Sequence, residues 1–203
     1  MRRVICGILC VLMVLGFATT AFAGINGEVK TYGTPFLITN AGQGPGGKMA
    51  RLLVSQTGTV VLDTDYFYDS EPGAEGHGTL DDMDYTCLVV VIGSTDKGLG
   101  ASGITIDDEL ARLEEMVAHA KEIELPIVAV LLEKDKRSDI PTNANERCID
   151  AICPNAEWMI VVADGNTDGR FDAISEEYGI PLTIIDTTLD FTELAKQAFI
   201  KSE

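Results

Sequence analysis

The chain is poor in the residues from which most catalytic sites are assembled. It holds two histidines, one tryptophan, and aromatic residues at only 6%, and its 15 basic residues are outnumbered by 32 acidic ones. His77 sits in an acidic stretch and His119 on the polar side of a helical pattern. Neither has a serine or cysteine nucleophile at a recognisable spacing. There is no G-x-S-x-G elbow and no H-E-x-x-H helix, so acyl-transfer and zinc-hydrolase chemistry lose their usual carriers. The shortage of positive charge, a formal net charge of −17, argues against nucleic acid and anionic lipid as partners, because phosphate repels a chain of that sign. Cysteine is sparse beyond the first residues, where Cys6 and Cys10 lie. Cys87, Cys148 and Cys153 remain, and an odd number leaves at least one thiol unpaired. Cys87 opens the apolar run "CLVVVIG" and reads as a small buried hydrophobe. Cys148 and Cys153 stand five apart around a helix end, so a bridge between them demands special end geometry.

Long apolar runs are missing except at the start, "MRRVICGILCVLMVLGFATTAFAG". Arg2 and Arg3 precede an apolar stretch from Val4 to Phe17, and Ala21-Phe22-Ala23 supplies a small-x-small cleavage pattern. That stretch falls short of the roughly 20 residues of a spanning helix. It predicts a cleaved signal peptide over 1–23, Gly24 as the mature N terminus, and export to a periplasmic or extracellular space with no membrane contact afterwards. Neither Cys6 nor Cys10 follows the small residue that a lipoprotein signal requires. Residues 24–34 read as a flexible leader and 35–203 as one domain, about 180 mature residues being enough for a single core.

What is plentiful is alternation. Apolar runs at 35–39, 59–63, 87–93, 126–132, 158–163 and 181–186 are separated by amphipathic patterns near 47–57, 106–124, 143–152, 171–178 and 190–201. Several runs are continuous Val/Ile/Leu, as in strands covered on both faces. The pattern predicts an α/β fold: a three-layer, doubly wound, mostly parallel sheet of five to six strands, Rossmann-like or flavodoxin-like. One segment breaks the rhythm, the acidic and aromatic "DTDYFYDSEPGAEGHGTLDDMDYT" (63–86). Its length is that of a lid or a solvated excursion.

Ligands of open parallel sheets bind beyond the carboxyl ends of the strands. Four loops are expected there: "NAGQGPGGK", "GSTDKGLGASG", "EKDKRSDIP" and "DGNTDGRFD". Their glycines and small polar residues suit close approach of backbone N–H groups to a ligand, and Lys48, Lys97, Lys134, Lys136 and Arg170 reverse the local sign. The candidate ligand contacts are Asn40, Gln43, Ser94, Lys97, Gly98, Gly100, Asn166 and Asp168. Gly42, Gly47 and Lys48 have Walker A spacing, but Met49 replaces the Ser or Thr that ligates Mg²⁺, and Pro45 interrupts the N–H nest. No nucleotide cofactor is expected. Asp164, Asn166, Asp168 and Asp172 match positions 1, 3, 5 and 9 of a calcium loop, with Ser175 where a bidentate Glu belongs. Ca²⁺ is therefore a minority expectation; a tight turn into a helix is the main one.

"TNAGQ" (39–43), "GSTDKGLGASGI" ahead of "DDELARL", and "GNTDGRF" ahead of "IPLTIID" resemble a family of small exported bacterial proteins of unknown function. The resemblance covers roughly 35–190 and implies a single Rossmann-like or flavodoxin-like domain. "GPGGK" departs from the family's loop, and no catalytic residues carry over. The function expected is a non-catalytic exported domain that binds a small, anionic molecule at the carboxyl edge. The alternative is an interaction or accessory module whose acidic loop meets a protein partner of unknown identity, with calcium stabilising 164–172. An enzyme ranks third.

Overall fold

Three apolar runs, Leu88–Ile92, Ile127–Leu131 and Trp158–Val162, are buried at every position, which requires cover on both faces of the sheet. The computed structural model describes residues 24–57, 80 and 84–200. Within them six strands form one sheet: β1 (Ile25–Gly27), β2 (Leu37–Ala41), β3 (Leu88–Ile92), β4 (Ile127–Leu131), β5 (Trp158–Val162) and β6 (Leu182–Ile185), in the spatial order β1-β6-β5-β4-β3-β2. Strands β2 to β6 are parallel; β1 is antiparallel to β6. The helices are α1 (Gly46–Ser55), α2 (Asp96–Ala101), α3 (Ile106–Glu122), α4 (Ala144–Ile152), α5 (Arg170–Tyr178) and α6 (Asp190–Ala198). This is the three-layer, mostly parallel α/β architecture that the alternation predicts.

The two faces have separate cores. On one, Leu113, Met116, Cys148, Ile149, Phe171 and Ile174 bring α3, α4 and α5 onto Leu88, Val90, Ala129 and Met159. On the other, Leu53, Val54, Phe191 and Leu194 bring α1 and α6 onto Val89, Val91, Val128 and Trp158. Each such fully buried side chain contributes about 1.5–3 kcal/mol relative to exposure. Trp158 is wholly buried, and its indole N–H donates to Thr183 Oγ1 at 2.8 Å, satisfying the one polar atom it carries into the core.

Three differences from the sequence expectation have plain causes. Residues 24–34, read as a flexible leader, supply β1: Ile25 is buried, and Asp186 N–H donates to Gly24 C=O at 2.8 Å. Three residues are too few for a period-2 pattern to be visible. The loop "GSTDKGLGASG" contains the short helix α2, whose start is fixed by Thr95 Oγ1 accepting from Gly98 N–H at 3.0 Å; its two glycines hid it. Cys148 and Cys153 are both free and buried in the same core, as is Cys87 in the other. The strand expected at 59–63 and nearly all of the acidic segment 63–86 lie outside the described residues. No helix among those described is long and apolar enough to cross a membrane.

Along the described strands β2 to β6 the order follows the chain without reversal. The change of direction is instead in the helices. The one after β2 lies on the face opposite to those after β3, β4 and β5. The rule for open sheets expects a crevice where neighbouring connections part in this way, and it points here to the carboxyl ends of β2 and β3.

Two glycines near that crevice make contrasting tests. Gly42 has φ +98°, and a Cβ there would lie 2.4 Å from Ser94 Cβ; Gly42→Ala is expected to cost at least ~2 kcal/mol. A Cβ on Gly100, inside α2, meets nothing within 4 Å, so Gly100→Ala is expected to leave stability unchanged or raise it by up to about 1 kcal/mol. Urea denaturation of the two variants checks both.

Candidate functional site

The loop after β2 is tied down by its own backbone. Pro45 begins α1 without a side chain able to cap it, and Asn40 serves in its place: Asn40 Oδ1 accepts from Gly47 N–H at 2.7 Å. Gly44 N–H donates to Gly93 C=O at 2.9 Å, and Gly42 N–H donates to Glu109 Oε1 at 2.7 Å. Glu109 is completely buried near the start of α3, held also by Arg112, which donates through Nε to Glu109 Oε2 at 2.9 Å and through Nη2 to Asn40 C=O at 2.8 Å. Three of the N–H groups with which a Walker loop would cradle phosphate, those of Gly42, Gly44 and Gly47, are therefore satisfied by the chain's own oxygens. The glycines serve packing: a Cβ on Gly44 would meet Gly93 C=O at 2.5 Å, and one on Gly46 would meet Val91 Cγ1 at 2.8 Å.

Three buried polar atoms around the end of β3 lack a normal hydrogen-bond partner among the described residues: Ser94 Oγ, Asn145 Nδ2 and Glu133 Oε2. Asn145, in the first turn of α4, accepts from Ser94 N–H through Oδ1 at 3.1 Å. Both residues are buried on the α3–α5 side, where the Cys148 thiol lies beside the Ser94 hydroxyl. Burial pushes that thiol up to about 12, with the Glu109 charge adding to the rise and Ser94 opposing it. Cys87 and Cys153 are raised by burial as well, so all three sulfurs stay protonated and unreactive at neutral pH. Glu133 lies on the α1 side. Its Oε2 is 3.0, 3.3 and 3.5 Å from where Cβ atoms on Gly93, Gly44 and Gly46 would be, and Oε1 is 3.8 Å from Lys136 Nζ. Polar groups thus flank the β3 terminus on both sides.

A second buried carboxylate organises the loops after β4 and β5. Glu146, fully buried in α4, receives Arg137 Nε at 2.9 Å, Ser138 N–H at 2.9 Å, and a short contact from Arg170. Arg137 also donates to Asp168 Oδ2 at 2.7 Å and stacks over Phe171 at 5.2 Å. Burial alone would raise the Asp168 carboxyl, but the Arg137 guanidinium and the Arg170 N–H outweigh it and hold it below its ordinary 3.8.

The expected contacts divide accordingly. Asn40, Gln43, Ser94, Lys97, Gly98 and Gly100 share neighbouring loops, and a Cβ added to Gly98 would lie 3.7 Å from the Gln43 carbonyl oxygen and 3.9 Å from Gln43 Cβ. Gln43, Lys97 and Gly100 are exposed, whereas Asn40 is committed to α1. Asn166 and Asp168 belong to the other network: Asn166 Oδ1 accepts from Phe171 N–H at 2.9 Å and Nδ2 donates to Asp172 at 2.6 Å. Asp164 pairs with Lys134 at 2.6 Å. Of the calcium-loop residues, Asn166 and Asp172 are thus bonded to each other while Asp164 and Asp168 are paired with Lys134 and Arg137, and no group of three or more His, Cys, Asp or Glu is placed to hold a metal among the described residues. Away from the edge, a groove of about 650 Å³ runs between α3 and α4, floored by Leu110, Val117 and Ala151 and rimmed by Lys121, Arg147 and Asp150.

Sequence reasoning missed Glu109, Glu133, Asn145 and Glu146. Glu109 carried a signal, since it stands four and seven residues before Leu113 and Met116 on the buried stripe of α3. Asn145 and Glu146 carried a weaker one beside Cys148 and Ile149 in α4.

A family described as a domain of unknown function (DUF6305) matches residues 33–199. The chain belongs to it. The match takes in every element from β2 to α6, and so both carboxylate networks of this DUF6305 domain. No curated protein and no solved structure matches it.

Glu146→Gln in this DUF6305 domain should cost about 1.5–3 kcal/mol, because it removes the buried charge that Arg137 and Arg170 share and leaves them only Asp168 and Asp150; chemical denaturation measures it. Asp168, with a depressed folded pKa, contributes stability above pH 3.8 that is lost as pH falls through the folded value. The acid limb of the stability curve is therefore expected to flatten in Asp168→Asn.

Proposed function

We propose that this protein is an exported, non-catalytic binding domain that holds a small polar molecule in the crevice between the loops after β2 and β3. The observation that carries this reading is the set of buried polar atoms around the end of β3: Asn145 Nδ2 and Glu133 Oε2, without a hydrogen-bond partner among the described residues, and Ser94 Oγ, whose neighbour is the Cys148 thiol. Burial without a partner costs about 1–3 kcal/mol per group, a cost that a ligand would offset. Glu133 offers an acceptor, Asn145 a donor, and Ser94 either. A ligand carrying both donors and acceptors, such as an amino acid or a polyol, answers all three. The expectation of an anion rested on the loop cations, and Lys134, Lys136 and Arg170 have carboxylate partners. Lys97 on α2 is exposed, a cation for the ligand's outer edge. A second reading, a protein-interaction module, is favoured by the apolar-floored groove between α3 and α4.

Native mass spectrometry of protein taken from its exported compartment, followed by a thermal-shift panel of amino acids, polyols, carboxylates and phosphates, tests the first reading. The expected outcome is a co-purifying small molecule or a stabilising compound, with affinity lowered roughly 10- to 100-fold by Glu133→Gln, the loss of a charge-assisted hydrogen bond. Absence of both signals contradicts it.

A further inference from the structure

Two independent observations meet at Gly24. The leader's small-x-small pattern puts the cleavage between Ala23 and Gly24, and Gly24 itself is tied to the edge of the sheet. Gly24 C=O accepts from Asp186 N–H at 2.8 Å, and Ile25 is buried and pairs with Ile185. Gly24 lies against the first turn of α6: a Cβ on it would be 2.9 Å from Asp190 Oδ1 and 3.0 Å from Oδ2. The α-nitrogen sits on the same Cα, about 2.5 Å from that Cβ position, which places it within roughly 5.5 Å of the carboxylate. A glycine is the residue that tolerates this approach. Asp190 is itself held in place, Oδ2 accepting from Thr187 N–H at 2.8 Å and from its hydroxyl at 2.7 Å.

We propose that removal of the leader installs an ion pair between the new α-ammonium of Gly24 and Asp190. A processing peptidase hydrolyses the Ala23–Gly24 bond. Water supplies the hydroxyl to the Ala23 carbonyl and a proton to the Gly24 nitrogen, which takes a second proton from solvent. An amide N–H becomes a full positive charge beside a fixed carboxylate, and it fastens β1 to α6. Asp186, which receives Asn26 Nδ2 at 3.4 Å, adds negative charge on the same side. Glu193 and Lys196, further along α6, pair with each other at 2.6 Å. The inference rests on the export reading of the leader and is independent of the ligand crevice.

A raised folded pKa of an amine gives stability that is complete below its unfolded value, about 7.7–8.0, and is lost as pH rises through the folded value. The test is a double cycle on protein released from a fusion with Gly24 as its first residue, its α-amine free or acetylated, in the wild-type and Asp190→Asn backgrounds. At pH 6.5 the free amine is expected to raise the Tm by about 2–4 °C over the acetylated form. That difference should vanish in Asp190→Asn and above about pH 10, with the amine titrating above 8 by NMR. Equal Tm values, or an amine titrating at or below its ordinary value, overturn the proposal. So does a mass for the exported protein that begins anywhere but Gly24. None of these readouts involves a ligand, so a failed ligand screen and a failed ion pair are told apart.

Discussion

A carboxylate with no exposed surface has to be met by donors, and around Glu109 they come from distant parts of the chain. Gly42 supplies its N–H from the loop after β2; Arg112 supplies its guanidinium from one turn further along α3 and reaches on to the backbone of Asn40. One buried charge thereby fixes how the glycine loop lies over the sheet and how α3 leaves β3. Ion pairs of this kind add little net stability against an apolar replacement, but breaking one is costly. Its role in this fold is to hold register: the loop has one place to sit, with Gly44 on Gly93 and Gly47 on Asn40. Glu146 does the same for the loops after β4 and β5, gathering Arg137, Arg170 and Ser138.

Much of the fold was legible because continuous apolar runs and a strong amphipathic stripe are signals that tertiary context seldom overrides. The runs at 87–93, 126–132 and 158–163 contain β3, β4 and β5, and the amphipathic pattern at 106–124 contains α3. β1 was illegible because its three residues are made into a strand by β6 rather than by their own pattern. α2 was illegible because its glycines read as loop.

Of the candidate site, the sequence made legible only which loops share the carboxyl edge, not their chemistry. Glycine-rich loops after β2 and β3 indicated the carboxyl edge, and the edge is where buried polar groups gather. Glycine composition, however, does not distinguish a backbone that approaches a ligand from one that approaches itself. Here Gly42, Gly44 and Gly46 press against Ser94, Gly93 and Val91. Acidic residues in helices look like solvated faces until their register with the apolar stripe is considered, as for Glu109. Loop cations look available until their carboxylates are known, as for Lys134 and Arg170. These are pairings across 24 to 67 residues of sequence, beyond the reach of local patterns.

The glycine loop is thus closed by internal acceptors, and the groups left over line the β3 terminus. Amide hydrogen exchange of Gly42, Gly44 and Gly47 in ligand-free protein tests that claim most directly. Protection comparable to the amides of β3, with no added nucleotide or phosphate, is the predicted result. Exchange of these three amides at the rate of an open loop, slowing only when an anion is added, would contradict it.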